Sequence, residues 1–261
     1  MTSKPRPLKR FGQNYLVDKN TIRKIVEEFN PSGNDTVIEI GPGTGALTAE
    51  LIKEVKKLYA VEIDNRVVES LALSFPSAHI IHHDFIKLDL SRFESEKPLR
   101  VIGNIPYNIT SSILFKLIEN RDFVSDAMMM VQFEVAKRIT AYENNDDYGI
   151  LGVVMNFFAE TKICFKIPPT VFYPKPKVDS AIVKINFKNT LPDNLDYKLF
   201  IQVVKASFGN RRKKLKNSLG NSAFKDVAIG DTEFDLSRRA EELTIDEFVQ
   251  LTKLIQSHIR K

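Results

Sequence analysis

The sequence predicts a doubly wound α/β domain on a mostly parallel sheet, with an antiparallel addition at one edge and a small helical domain behind it. Three observations predict this. Between Val37 and Val131 short apolar stretches alternate with helical stretches, the pattern of a parallel sheet covered on both faces. The first apolar stretch ends in the glycine-rich turn Gly41-Pro42-Gly43-Thr44-Gly45, the kind of turn at which open α/β sheets form a ligand crevice. From Asn189 onward the apolar residues recur with helical period only.

Asp18 stands as an N-cap before Ile22, Ile25, Val26 and Phe29, spaced i, i+3, i+4, i+7, and Asn30-Pro31-Ser32-Gly33 stops that first helix. The strand 37–40 and the glycine turn lead into a helix ending near Lys56. A strand over 58–62, a helix over 65–74 and a strand over 79–82 follow, then a strand over 99–105, a helix over 111–119 and a strand over 127–131. Residues 150–158 and 180–187 both read as strands, with the proline-rich loop 168–177 between them, and form the antiparallel addition. Beyond Asn189-Thr190-Leu191-Pro192-Asp193, the sets Phe200, Val203, Val204, Phe208 and Leu243, Phe248, Leu251, Leu254 mark helices. The expected division is an α/β domain over 1–188 and a helical domain over 189–261.

A chain of 261 residues with 43% hydrophobic and 27% charged residues can bury a substantial core, which excludes disordered and collagen-like classes. Its single cysteine, Cys164, leaves no partner for an internal disulfide. No apolar run is long enough to cross a bilayer, and the charged, proline-broken start lacks a signal-peptide core, so the expected compartment is the cytoplasm. The net charge of +5 is unevenly placed. Lys4, Arg6, Lys9 and Arg10 precede the first acid at Asp18, and residues 197–220 hold seven Lys or Arg with no Asp or Glu. Both stretches point to a polyanionic partner.

The turn after the first strand reads in two ways. As G-x-G-x-x-A with Glu62 ending the second strand, it approaches a dinucleotide fingerprint, in which the acid accepts from ribose hydroxyls. As E-x-G-x-G-x-G from Glu39 it looks like the first motif of class I methyltransferases. The later strand ends favour the second reading. His82-His83-Asp84-Phe85 supplies a carboxylate suited to an adenine amino group and an aromatic suited to cover its ring. The next strand ends in Asn104-Ile105-Pro106-Tyr107, which resembles the N/D-P-P-Y/F-type motif of exocyclic-amine methyltransferases, with Ile105 where proline is common. His82 and His83 are adjacent on a strand and point to opposite faces, so no metal site is expected.

Taken together, Lys9-Arg10-Phe11-Gly12-Gln13-Asn14-Tyr15-Leu16, residues 39–48, Val61-Glu62-Ile63-Asp64, and residues 103–110, 172–181 and 208–219 resemble the small-subunit ribosomal RNA adenine dimethyltransferases along the whole chain. The resemblance implies S-adenosylmethionine as cofactor, held by Asn14, Leu16, Gly41, Gly43, Gly45, Glu62, Ile63, Asp84, Phe85 and Asn104. It implies transfer of two methyl groups to adenine N6 in small-subunit RNA, within a partly assembled ribosomal subunit, by a monomer. An Erm-like large-subunit enzyme and an assembly factor that mainly binds are the alternatives.

The chemistry suits these residues. The exocyclic amine is a weak nucleophile because its lone pair is delocalised into the ring. Two acceptors, the Asn104 side-chain oxygen and the Ile105 carbonyl, would localise that pair and stabilise the positive charge growing on nitrogen. Tyr107 is placed to stack on the extruded base, and Phe172 is the candidate for its other face. Arg211, Arg212, Lys213 and Lys214 are expected to track phosphates from a helix anchored by Phe208, Leu215 and Leu219.

Overall fold

The computed structural model describes residues 13–210, 212–227 and 234–259. The chain divides into two compact units, Met1–Ala136 with Thr161–Phe187, and Lys137–Glu160 with Lys188–Lys261.

In the first unit, β1 (Tyr15–Leu16) is followed by α1 (Lys19–Phe29), whose start is capped by the Asp18 carboxylate accepting from the Thr21 amide at 2.7 Å. The helix buries the Ile22, Ile25, Val26, Phe29 stripe and ends at Asn30 in the left-handed region. Then come β2 (Thr36–Ile40), α2 (Thr48–Leu51), β3 (Lys57–Glu62), α3 (Asn65–Ser74) and β4 (His79–His82). After them lie β5 (Leu99–Asn104), α4 (Thr110–Glu119) and β6 (Val124–Gln132). The helix expected up to Lys56 is only the single turn of α2.

Seven strands form one sheet in the order β4-β3-β2-β5-β6-β9-β7, where β7 is Ala159–Ile167 and β9 is Ser180–Phe187. The first five are parallel, and β9 runs antiparallel to β6. Strand order reverses between β2 and β5, so their carboxyl ends, Ile40 and Gly103 in register, flank the switch point where such sheets bind ligands. A separate two-stranded ribbon pairs β1 with β8 (Phe172–Tyr173), Tyr15 opposite Tyr173 and Leu16 opposite Phe172.

Residues 150–158 are a helix, α6 (Ile150–Phe158), not a strand, after α5 (Phe133–Thr140). Every residue from Gly152 to Phe158 is buried. Gly152 sits so near the end of α5 that a Cβ there would fall 2.8 Å from the Ala141 carbonyl oxygen, and Asn156 donates to the carbonyls of Ile139 and Ala141. The edge strand is the next segment, β7.

In the second unit, Phe157 and Phe158 of α6 pack on Tyr197 and Phe200 of α7 (Tyr197–Ser207), and the Lys188 ammonium donates to the Asn156 carbonyl at 2.7 Å. Short α8 (Leu215–Gly220) and long α9 (Ile245–Ile259) complete it. The basic run does not lie on one helix anchored through Phe208. Helix α7 stops at Ser207, a 3-10 turn covers Phe208–Asn210, and Lys214 bridges to Arg239 in extended form before α8 begins at Leu215. Leu215 and Leu219 are buried as expected, and Arg212, Lys213 and Lys214 are exposed. Arg211, and Lys9 to Gly12, lie outside the described residues. No helix among the described residues is long and apolar enough to cross a membrane.

Candidate active site

A cleft with about 970 Å³ of empty space, counted out to solvent, opens at the carboxyl ends of β2, β3, β4 and β5. Its floor is the turn after β2. Gly41, Gly43 and Gly45 have φ of 64°, 56° and 80°, values that side-chain-bearing residues seldom adopt. Gly41 and Gly43 line the cleft. Gly45, expected with them, does not: it faces α3, where a Cβ would meet the Phe75 ring at 2.3 Å, so it is a glycine of helix packing.

At the end of β3, Glu62 is buried, one carboxylate oxygen accepting from the Gly43 amide at 3.0 Å and the other from the Asp64 amide at 2.8 Å. Each oxygen keeps a lone pair for a further donor. Burial pushes its pKa up, and the backbone donors from Asp64 and Gly43 oppose this. Ile63 is exposed at the cleft, Asp84 is fixed by accepting from the Ile86 amide at 3.0 Å, and Phe85 is a buried part of the wall.

The end of β5 brings Asn104, buried Ile105 and Tyr107 to the same cleft. Asn104 Nδ2 donates to the Asn14 carbonyl at 2.8 Å, and only the amide nitrogen can make that bond, so Oδ1 takes the other direction. Tyr107 is half-buried, and its hydroxyl is hydrogen-bonded at 2.7 Å to that of Ser180, a fully buried residue at the start of β9. Asn14 and Leu16, from the strap before α1, also line the cleft.

A family model described as ribosomal RNA adenine dimethylase matches residues 6–257. The chain belongs to the ribosomal RNA adenine dimethylase family. It is 44% identical to a ribosomal RNA small subunit methyltransferase A of Chlorobium phaeobacteroides, over 95% of this chain and 91% of that one. To one of Francisella tularensis subsp. novicida it is 42% identical, over 98% and 100%. Among solved structures, a dimethyladenosine transferase from Plasmodium falciparum superposes with a TM-score of 0.76 at 25% identity, covering 90% of this chain and 95% of that one. The 23S rRNA methyltransferase ErmE superposes at 0.67, also at 25% identity, covering 93% and 100%.

In this member of the family a second sequence-derived site residue, after Gly45, is placed elsewhere. Phe172 does not face the cleft: it is 3% exposed, in a core cluster with Leu16, Ile22 and Ile182. Other residues were not foreseen at the site. Gln13 donates to Asp64 at 3.0 Å and accepts from the Tyr15 hydroxyl at 3.0 Å, tying the strap to the end of β3. Asp64 caps α3 and pairs with Arg66, whose hydrogen bonds hold its carboxyl down at about 2. Glu39, the first letter of the glycine motif, lines the cleft from within β2 and accepts from the Thr48 hydroxyl at 2.6 Å. His82 and His83 belong to no group of three or more metal-ligating side chains among the described residues.

Burial raises Glu39 from its ordinary 4.5 to about 7, against the Thr48 hydrogen bonds. A raised folded-state pKa means the folded protein holds a proton that the unfolded chain releases. The associated stability is fully present below about pH 4.5 and is lost as pH rises through about 7. Glu39→Gln keeps an acceptor for Thr48 and cannot ionise. Melting curves from pH 5 to 8 should therefore show the wild type losing stability relative to the variant. Parallel curves would show that Glu39 does not titrate in that window.

Proposed function

We propose that this chain transfers methyl groups from S-adenosylmethionine to the exocyclic N6 of adenines in small-subunit ribosomal RNA, giving N6,N6-dimethyladenosine during ribosome assembly. The observation that carries this is the convergence of Asn104, Ile105 and Tyr107 on the cleft that holds Glu62 and the glycine turn. Small-subunit RNA is favoured over large-subunit RNA by the near full-length, 42–44% identical relatives named for the small subunit, against 25% for ErmE.

The cleft fits the donor by its own chemistry. Gly41 and Gly43 leave room against the turn, Glu62 has lone pairs that would take ribose hydroxyls, Asp84 would accept from the adenine amine, and Ile63 and Phe85 would supply apolar surface to its ring. Asn14 and Leu16, which line the same cleft, would hold it from the strap. When bound, S-adenosylmethionine supplies an electrophilic methyl group. Asn104 Oδ1 and the Ile105 carbonyl accept from the target amine, and Tyr107, its hydroxyl pinned by Ser180, stacks on the base. Arg212, Lys213 and Lys214, with Arg211, contact phosphates. The working form is a cytoplasmic monomer on a partly assembled small subunit.

Mapping methylated adenines in both ribosomal RNAs from cells with and without the protein tests the activity. Dimethyladenosine that disappears from small-subunit RNA is expected; loss from large-subunit RNA, or no loss, would overturn the reading. For the cofactor, Glu62→Ala should weaken S-adenosylmethionine binding in calorimetry at least about tenfold, since each charge-assisted hydrogen bond contributes about 1.5–3 kcal/mol. Unchanged affinity would remove Glu62 from the cofactor site.

A further inference from the structure

Strand β8 is two residues long, and its side chains go to opposite faces. Phe172 turns into the core and Tyr173 turns out, 64% exposed. Across the antiparallel pair Tyr173 stands opposite Tyr15, and directly opposed residues share one face of a ribbon. Tyr15 lines the cleft, its ring so near the glycine turn that a Cβ on Gly43 would lie 2.9 Å from its Cε1. Tyr173 does not line the cleft; it stands beside Tyr15 at the rim.

The residues after Tyr173 extend this surface. Lys175, Lys177 and Val178 are exposed, and neither lysine forms an ion pair among the described residues. Residues 161–178 contain four lysines and no Asp or Glu, and of these Lys166 is paired with Asp179 at 2.7 Å. An uncovered aromatic ring followed by unpaired cations fits single-stranded nucleic acid, whose bases stack on aromatics while its phosphates meet lysines. An acidic protein would satisfy the lysines, but only a nucleic acid strand presents a planar base beside every phosphate.

Resting on the activity proposed above, we propose that Tyr173 is a stacking platform for the nucleotide adjoining the target adenine, with Lys175 and Lys177 holding the flanking phosphates of single-stranded RNA. The target base enters the cleft against Tyr107, and its neighbour remains at the rim on Tyr173. The chain holds no tryptophan, so Tyr173→Trp carries the sole indole and reports stacking by fluorescence. A short single-stranded RNA containing adenines should quench that indole, and the same RNA with an abasic ribose beside each adenine should quench it less.

In methyl transfer to small-subunit RNA from cells lacking the protein, Tyr173→Ala should raise KM for RNA about 5- to 100-fold, the loss expected for one stacked base, with S-adenosylmethionine affinity unchanged. Tyr173→Trp should keep a near wild-type KM. A wild-type KM in Tyr173→Ala, an unquenched indole, or an equal loss of S-adenosylmethionine affinity would overturn the proposal, the last showing that Tyr173 only fastens the strap. Absence of methyl transfer by the wild type would overturn the activity instead, and the quench would still decide the stacking.

Discussion

Asn104→Ala should lower the single-turnover rate of methyl transfer roughly 100- to 1000-fold, the usual loss when one preorganised polar group is removed from a developing charge. RNA affinity should change far less. The acceptor is worth little to a neutral amine in the ground state and much to a nitrogen gaining positive charge, so the loss belongs to kcat and not to KM. The Asn104 amide is held by donating to the Asn14 carbonyl, which makes the strap part of the aim of Oδ1. Asn104→Asp separates the two contributions. It keeps an acceptor toward the cleft and sets an oxygen against the Asn14 carbonyl, so S-adenosylmethionine affinity should fall in this variant too. Single-turnover assays with labelled donor, beside calorimetry, measure both; wild-type turnover in Asn104→Ala would exclude the role.

The parts of this site that could be read from the sequence are those set by backbone position alone. A residue at the carboxyl end of a parallel strand near the switch point has little choice but to face the crevice, which is why Gly41, Glu62, Asp84 and Asn104 all reach it. Residues whose place depends on tertiary packing were not legible. Ile150–Phe158 is apolar almost throughout, and periodicity cannot tell a buried strand from a buried helix over nine residues. What decides for helix is the close approach at Gly152 and the two carbonyls that Asn156 satisfies. Phe172 and Tyr173 are adjacent, and which one turns outward is set by pairing of β8 with a strand more than 150 positions away, so the exposed aromatic of this loop could not be told from the buried one. Gln13 and Asp64 meet across 51 positions, and no local pattern announces such a pair.

The three glycines of the turn share a positive φ and differ in what surrounds them, and their alanine variants should differ accordingly. At Gly41 the nearest atom to a new Cβ is the Asn104 carbonyl oxygen at 3.8 Å, an ordinary contact. Gly41→Ala then carries only the left-handed strain, about 1–2 kcal/mol. At Gly45 the Cβ would lie 2.3 Å from Phe75 Cε2, 2.9 Å from Cζ and 3.3 Å from Leu71 Cδ2, all on the α3 side of the turn. Overpacking of about 1–3 kcal/mol adds to the strain, so Gly45→Ala should cost about 2–5 kcal/mol, a large part of the roughly 5–15 kcal/mol that holds a domain folded. For a unit of this size each kcal/mol lowers Tm by about 2–4 °C, so the two variants separate readily in thermal melts. Phe75→Ala in the Gly45→Ala background removes the ring that is struck. Measured against Phe75→Ala alone, the remaining cost of Gly45→Ala should shrink toward that of Gly41→Ala, because only the strain and the 3.3 Å contact with Leu71 Cδ2 are left. Gly45→Ala melting with Gly41→Ala, or a cost unmoved by removing the ring, would show that the third glycine is there for its backbone angle and not to admit Phe75 and α3 against the turn.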